Sequence, residues 1–506
     1  MMRYFKPPRR LAAAVLLTLF GALAGCSLAP PYKAPDMVLP ASYKGTGSFA
    51  LAHPEDQLVQ GDWWKMFGDE QLDRLETSLN AANPDLQAAQ ETYTQARDIV
   101  GEARSQLFPQ LSAQSYMTQN RQSENRLFRV NGGGPAEQSS NGYGAALSWE
   151  PDFWGSIHNQ TNYAKSNAQA TAAMVASARL SLQIELANDY MALRGLDSEH
   201  AVYTKTLGYY GDALKITKLR YAGKISAGLD VERAQNQLST AQAADTDIQM
   251  QRAVLEHAIA VLAGENPSTF SLPPEELARL TIPVIPVGVP SALLQRRPDI
   301  AQSERRMAAE NAEIGVARAA FYPNIQLSVN GGFEDDAFGG LASLPDSLWS
   351  IGASAMLPLF EGGLRRAEEQ QSRSAFAQAA DNYHSTVLQA FREVEDQLVQ
   401  TNKLASEYTQ QQDALKAALK VQDLALRLYT NGLDDYLSVT VAQVAALSAE
   451  LATVQVQSCQ LQSAVGLIGS VGGGWSTVDM PTSKQTIPFN PLHWGTGGLR
   501  QTNQGG

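Results

Sequence analysis

Asn83-Pro84-Asp85-Leu86 opens a helical pattern that ends at Ala103-Arg104. Arg297-Pro298-Asp299-Ile300 opens a second pattern that ends at Ala317-Arg318. The two stretches align without a gap, 214 positions apart (297 − 83). A repeat of about 200 residues is longer than the units of solenoid proteins. The chain therefore contains two copies of one structural module.

Two later stretches extend the repeat. Residues 151–155 match 358–362 at an offset of 207, and residues 221–231 match 429–439 at an offset of 208. Each copy begins with a helix of about 24 residues (84–107 and 298–320), whose first-turn proline suits a helix start. Two candidate strands follow in each copy. In three of the four, large and apolar residues alternate with small or polar ones, and aromatic residues lie near the strand ends, which fits membrane β-strands as well as a soluble hairpin.

Very long helices follow the strands. Residues 157–219 and 364–428 contain no proline and little glycine, and about 65 residues make a rod of roughly 100 Å. Apolar residues recur every three or four positions along both, as in a coiled coil. Each rod ends at a glycine-containing turn, and a return helix follows (230–263 and 437–468).

These elements predict an oligomer. One chain supplies four membrane-type strands, and open sheet edges are not tolerated in lipid. Two copies give about eight strands, whose interior side chains would fill, whereas three give about twelve and leave a pore. The expected fold is thus a membrane α/β trimer, a channel-tunnel with a twelve-stranded barrel and a twelve-column helical coiled-coil tube.

The N-terminal end predicts export. Four basic residues precede the short apolar run Leu11 to Leu23, which is too short to span a bilayer permanently. The run ends in Leu23-Ala24-Gly25-Cys26, which resembles a bacterial lipobox with Cys26 as the lipidated residue, and Ser27 then implies sorting to the outer membrane. The other cysteine, Cys459, is expected to be a buried structural thiol.

Composition and motifs exclude several functions. The net charge of −12 becomes −16 once the four basic signal residues are removed, which argues against nucleic-acid binding. No phosphate loop, nucleophile elbow or metal motif is present, so we expect no enzyme, no metal and no cofactor beyond lipid on Cys26. The sequence divides into a signal peptide (1–25), an extended tether (26–62), a first repeat (63–265), a proline-rich linker (266–296), a second repeat (297–470) and a C-terminal segment with a disordered tail (471–506).

The chain resembles the TolC-like outer membrane factors, in their lipoprotein branch. The resemblance is carried by Cys26, Trp63-Trp64, the two helix openings quoted above, residues 151–155 and 359–362, and Gly472-Gly473-Gly474-Trp475. It implies a homotrimer in the outer membrane of a Gram-negative bacterium, with the helical tube in the periplasm. It also implies an equatorial belt built from residues 266–296 and the C-terminal region, a periplasmic adaptor, and an inner-membrane transporter of the RND type.

The resemblance also assigns roles to the two helical turns, which form the periplasmic mouth in this family. The expected adaptor-docking residues are Arg220, Tyr221, Gly223, Ser226, Tyr429 and Gly432. The expected gate residues are Asp423, Asp434 and Asp435, with Asp423 forming a lumenal ring of three carboxylates. Each assignment stands beside a plainer alternative: the turn residues only make the turn, with glycine adopting positive φ, and Asp423 lies on a solvated outer face.

The favoured function is a passive exit duct for drugs, metal ions or other small molecules delivered by the transporter. A duct for type I protein secretion has the same architecture and stays open as an alternative. A third reading, of another class, is a periplasmic coiled-coil scaffold tethered by lipid, with soluble hairpins and no barrel.

Overall fold

The computed structural model describes residues 27–37, 40, 42–44, 61–121, 123, 137–283, 285, 293–336 and 343–488. The predicted signal peptide and Cys26 lie outside these residues. Long helices and one four-stranded sheet make up most of the described chain, which confirms the expected combination of helical tube and strands. The strands are β1 (Gln110–Arg121), β2 (Glu137–Trp149), β3 (Asn324–Asp335) and β4 (Ser347–Met356).

The helices repeat in matching pairs. The two long helices have 67 residues each, the two return helices have 35, and the two repeat-opening helices have 22. At about 1.5 Å per residue the long helices reach roughly 100 Å. The helices are α1 (Glu70–Ala82), α2 (Pro84–Ser105), α3 (Ser156–Ala222), α4 (Gly228–Leu262), α5 (Leu293–Arg296), α6 (Pro298–Ala319), α7 (Leu364–Thr430) and α8 (Tyr436–Ser470).

The long and short helices form a wall of four columns. Helix α3 packs against α2, α4, α6 and α8, whereas α7 packs against α6 and α8. The shorter helices stack in pairs, α2 continuing α4 and α6 continuing α8. The order across the wall is therefore α4 with α2, then α3, then α8 with α6, then α7. Helix α8 is long and apolar enough to cross a membrane by composition, yet it lies inside this wall.

The repeated motifs at the helix openings hold the stacked helices together. The Asn83 side chain caps α2 by accepting a hydrogen bond from the Leu86 amide at 2.9 Å, and its Nδ2 donates to the last carbonyl of α4, Leu262, also at 2.9 Å. Arg297 occupies the equivalent position. Its Nη1 donates to the Ser470 carbonyl at the end of α8 at 3.0 Å. These contacts satisfy helix-end groups that would otherwise be buried without partners.

The sheet is an antiparallel meander in the order β1-β2-β3-β4. Its register places apolar residues of neighbouring strands side by side: Leu111 faces Leu147, which faces Val329, which faces Ile351. The opposite face carries mainly small and polar residues. Both outer strands, β1 and β4, are exposed along their whole length.

A belt (residues 61–82, 266–283 and 471–487) covers the wall near the middle of α3. Its aromatic residues Trp63, Trp64 and Phe67 are buried against Leu186 and Tyr190 of α3. The described part of the predicted linker has no regular secondary structure apart from a hydrogen-bonded turn at 267–269, a short 3-10 turn at Leu277–Arg279 and the single helical turn α5.

Glu76 of α1 is the unexpected residue in this belt. The side chain is fully buried, and neither carboxylate oxygen has a hydrogen-bond partner among the residues that the structure describes. Burial raises the pKa of Glu76 to about 9. Because the unfolded chain releases this proton near pH 4.3, the folded chain binds more protons between about pH 4 and 9, and the stability falls as the pH rises through that window.

Replacing Glu76 with glutamine is expected to stabilise the chain above neutral pH. Glu76→Gln should raise the free energy of unfolding by about 2 kcal/mol at pH 8, and should have little effect near pH 4, because glutamine cannot ionise. Thermal unfolding at several pH values measures this, with Glu70→Gln at the exposed start of the same helix as the control. An unchanged pH profile in Glu76→Gln would show that Glu76 does not carry the effect.

The N-terminal segment is extended and docks on the wall. Ser27 Oγ donates to Asn159 Oδ1 at 2.6 Å, and Asn311 Nδ2 donates to the Pro30 carbonyl at 2.8 Å. The Tyr32 hydroxyl donates a hydrogen bond to the Glu304 carboxylate, nearer the start of α6. The segment that follows Cys26 thus begins close to the start of α3.

The expectation for Cys459 is wrong for the single chain. Its thiol is exposed, because α8 buries the faces that meet α3 and α7 and leaves Cys459 outside them. Its neighbours Ser458 and Gln460 are the buried ones.

Candidate functional site

The two helical turns lie at the same end of the wall, because the two hairpins have equal lengths and α3 packs along α8. Their backbones match in detail. In the first turn the Ile225 amide donates to the Arg220 carbonyl at 2.8 Å, and in the second the Leu433 amide donates to the Leu428 carbonyl at 2.9 Å. These bonds span six residues. The second hydrogen bond of a Schellman motif, which spans four residues, is also present in both turns.

The left-handed residue of the first turn is Lys224 and not Gly223. Gly223 has φ −73°, Lys224 has φ 58°, and the equivalent residue of the second turn, Gly432, has φ 75°. The idea that both glycines supply positive φ is therefore wrong for Gly223. The hydrogen bonds fix which position is left-handed, and the first copy places a lysine there at a conformational cost of about 1 kcal/mol.

Lys224→Gly is expected to stabilise the first turn, because glycine adopts positive φ without strain. We expect slower amide hydrogen exchange around residues 221–229, by a factor equivalent to about 1 kcal/mol. The mirror change Gly432→Lys should accelerate exchange around residues 429–437 by a similar factor. Equal exchange rates in Lys224→Gly and the unchanged chain would contradict this account.

The two equivalent tyrosines occupy different environments. The Tyr221 side chain is 55% exposed, whereas Tyr429 is 3% exposed and packs edge-on against Tyr436. Arg220 joins the turns. Its guanidinium carbon lies 4.5 Å from the centre of the Tyr429 ring, and its Nη1 donates to the Tyr429 carbonyl at 3.1 Å. The Ser226 hydroxyl is also buried. Of the two equivalent tyrosines, Tyr221 is the accessible one.

The three acidic residues near the mouth are exposed, and each has a local partner. Asp423 pairs with Arg427 one helical turn below it, at 3.0 Å. Asp435 caps α8 by accepting a hydrogen bond from the Ser438 amide, and Asp434 accepts one from the Ser438 hydroxyl. In the single chain Asp434 and Asp435 therefore order the start of α8.

The sheet and the wall end in open edges on the same two sides of the chain. β1 follows α2 directly and β4 precedes α7, so the edge strands continue the edge columns. The edge columns also expose several large apolar side chains. These are Ile99, Met250, Val254 and Val261 on one side, and Leu388 and Val399 on the other.

Known proteins are similar to this chain in sequence. The outer membrane efflux protein family model matches residues 77–265 and 289–473. The antibiotic efflux pump outer membrane protein ArpC of Pseudomonas putida is 28% identical over 454 residues, covering 90% of this chain and 93% of that protein. The pyoverdine export outer membrane protein OpmQ of Pseudomonas aeruginosa is 28% identical over 422 residues, covering 82% of this chain and 88% of that protein.

The solved structures agree with the sequence relatives. The outer-membrane channel OprN superimposes with a TM-score of 0.80 at 28% identity, covering 89% of this chain and the whole of that one. The fold, the two matched repeats and the sequence relatives lead to one conclusion: the chain belongs to the outer membrane efflux protein family.

Proposed function

We propose that three copies of this chain form the outer membrane exit channel of a tripartite efflux pump. The observation that carries the proposal is the pair of open edges, which the strands and the helical columns share. A strand with unpaired backbone groups cannot face lipid, so β1 of one chain must pair with β4 of the next. Three copies close a barrel of about twelve strands, wide enough to leave a pore.

The two faces of the sheet support the barrel. One face carries Leu111, Leu147, Val329 and Ile351 in register, and suits contact with lipid. The other carries residues such as Ser112, Ser148, Ser328 and Gly352, which suit a water-filled lumen. The tube then runs roughly 100 Å into the periplasm, with the helical turns at its far end.

The chain acts as a passive duct in this proposal. No sequence motif binds nucleotide, so an inner-membrane transporter of the RND type supplies the energy and a periplasmic adaptor joins it to the mouth. Exposed Tyr221 and the neighbouring Ile225 and Leu229 offer the adaptor an apolar surface at the first turn. Arg220, Gly223, Ser226, Tyr429 and Gly432 shape the turns that present this surface.

The names of the relatives indicate the class of molecule that the channel carries. ArpC belongs to an antibiotic efflux pump and OpmQ to pyoverdine export, so we propose small organic molecules. A covalent lipid on Cys26 would anchor the channel beside the barrel, since the segment after it docks at Asn159, near the start of α3. Intact-mass measurement of the mature protein tests the lipid independently of the channel.

Conductance of the purified protein tests the proposal. In planar bilayers a channel gives stepwise ion currents, and its oligomer dissociates on a gel only after heating. A lipid-tethered scaffold gives neither result. Absence of current from the unchanged chain and from every variant at the mouth would refute the duct.

Asp423 provides a finer test of the mouth. If three Asp423 carboxylates border the lumen, Asp423→Asn should lower the preference for cations over anions by about twofold, because their field favours cations. The neighbouring Arg427 offsets part of this charge, so a larger change is not expected. Asp413→Asn, exposed on the same helix, is the control. An unchanged ion preference in Asp423→Asn would remove Asp423 from the gate.

A further inference from the structure

The loop between β4 and α7 (the junction loop, residues 357–363) presents two apolar side chains that the described residues leave uncovered. Leu359 and Phe360 are 90% and 91% exposed. Arg365, at the start of α7, holds the loop on both sides of them. Its Nη2 donates to the Pro358 carbonyl, and its Nε pairs with the Glu361 carboxylate at 2.6 Å. The two apolar side chains therefore project from an ordered loop.

Two independent features put the junction loop at the periplasmic surface of the outer membrane. The loop directly follows β4, whose apolar face suits contact with lipid. Phe321, at the end of α6, lines a groove together with the loop. Three residues before Phe321, the Arg318 guanidinium donates to the Leu28 carbonyl at 3.2 Å. Leu28 is two residues from the proposed lipid anchor Cys26, so this end of α6 lies at the membrane surface.

The groove beside the junction loop combines apolar walls with one unpaired positive charge. Its large apolar side chains are Phe321, Leu359, Phe360 and Leu364. Arg366 also lines the groove, is exposed, and has no ion-pair partner among the described residues. The neighbouring arginines are engaged in the pairs Arg365–Glu361, Arg318–Glu369 and Arg373–Glu369. Arg366 is therefore the cation that is free to bind an anion here.

Arg366 lies on the outer face of the tube. It precedes Glu369 by three residues, and side chains at this spacing lie on the same side of a helix. Glu369 accepts a hydrogen bond from Arg318 at 3.2 Å, and Arg318 also contacts the N-terminal segment. Because that segment leads to the membrane anchor, it cannot run inside the lumen.

The first copy of the module lacks this combination. At the aligned positions, both at an offset of 207, Asp152 replaces Leu359 and Asn159 replaces Arg366. The Asp152 carboxylate caps the start of α3, and the Asn159 side chain accepts a hydrogen bond from Ser27. The apolar pair with a free arginine therefore occurs once in each chain, in the second copy.

We propose that this groove binds an anionic phospholipid of the periplasmic leaflet. Arg366 binds the phosphate group, because a guanidinium donates two parallel hydrogen bonds to phosphate oxygens. Leu359 and Phe360 insert beside the acyl chains, as apolar and aromatic side chains do at membrane interfaces. The proposal rests on the channel proposed above, in which every chain carries one such site at the base of the barrel.

Native mass spectrometry of the full-length protein tests the site by counting bound lipids. The protein is purified in mild detergent and incubated with equal amounts of phosphatidylglycerol and phosphatidylcholine. We expect the unchanged protein to retain one phosphatidylglycerol per chain. Arg366→Gln should lower its retention relative to phosphatidylcholine by about tenfold, because a charge-assisted contact with phosphate is lost. Phe360→Ser should lower the retention of both lipids.

Two further variants are the controls. Arg366→Lys keeps the charge and should retain most of the phosphatidylglycerol. Arg392→Gln removes an exposed arginine of the same helix, about 39 Å farther from the membrane, and should change nothing. Equal retention of phosphatidylglycerol by Arg366→Gln and the unchanged chain would overturn the proposal.

The same spectra separate this proposal from its alternatives. If Phe360→Ser binds both lipids normally but yields single chains, the junction loop is a contact between chains and the proposal fails. It fails equally if the unchanged protein retains no phosphatidylglycerol, as when the acyl chains on Cys26 fill the groove. Failure of the channel itself appears differently, as particles of the unchanged protein that do not contain three chains.

Discussion

Gly332→Val is expected to abolish assembly of the channel. A Cβ atom at Gly332 would lie 2.4 Å from the Tyr143 carbonyl oxygen of the adjacent strand. The Cβ atom is fixed directly to the β3 backbone and the oxygen belongs to the β2 backbone, so neither can move without disturbing the pairing of β2 and β3. Overpacking of this kind costs about 3 kcal/mol, and in the proposed trimer the sheet must also pair with two neighbouring chains.

The adjacent glycine is a matched control. A Cβ atom at Gly331 would have no atom of the described residues within 4 Å, and Gly331 lies on the apolar face beside Ala145. We therefore expect Gly331→Val to assemble normally and Gly332→Val to yield at least about tenfold less heat-dissociable oligomer. Normal assembly of Gly332→Val would mean that the strands do not pair in this register.

Asp197→Ala is expected to be the most destabilising single change in the helical wall. Asp197 accepts hydrogen bonds from Arg194 at 2.9 Å and from Arg252 at 2.6 Å. The Arg194 and Asp197 side chains are 1% and 2% exposed. Loss of the carboxylate would leave the Arg194 charge buried, with the partly exposed Glu275 at 3.8 Å as its one remaining counter-ion among the described residues. Breaking such a buried pair costs about 3–5 kcal/mol.

The same network fixes the belt to α3 and α4. Arg194 donates to the Pro273 carbonyl, and the Glu275 amide donates to Asp197. Asp197→Ala should therefore lower the thermal stability and also accelerate tryptic cleavage after Arg279 by at least about tenfold. Asp413→Ala is the control, because Asp413 pairs with Lys416 at the same helical spacing but both are about three-quarters exposed, and such pairs contribute about 0–1 kcal/mol. Equal effects of the two changes would contradict the importance of burial.

Sequence periodicity was sufficient to predict the long helices and the strands of the fold. The long helix predicted at 157–219 is observed at Ser156–Ala222, since a run without proline has nothing to stop it before the glycine-containing turn. The alternation in three strands gave the correct faces, because a strand has a period of two. The repeat could not indicate that Tyr221 and Tyr429 differ in exposure, since burial depends on which column lies beside each turn.

Other features left only weak signals in the sequence. Lys224 had no signal of its own, because Gly223, two positions from Tyr221, is the residue type that usually supplies positive φ. Arg297 could have been found by its alignment with the capping residue Asn83. Glu76 had no signal, because nothing in its neighbours distinguishes a buried glutamate from the exposed ones in the same helix.

The number of chains per particle tests the central claim most directly. In the proposed channel, one chain leaves two sheet edges and two helical edges open, and only three copies close them around a pore. Native mass spectrometry of the protein released from detergent should give three protein chains per particle. A particle of one, two or four chains that still conducts ions would contradict the account.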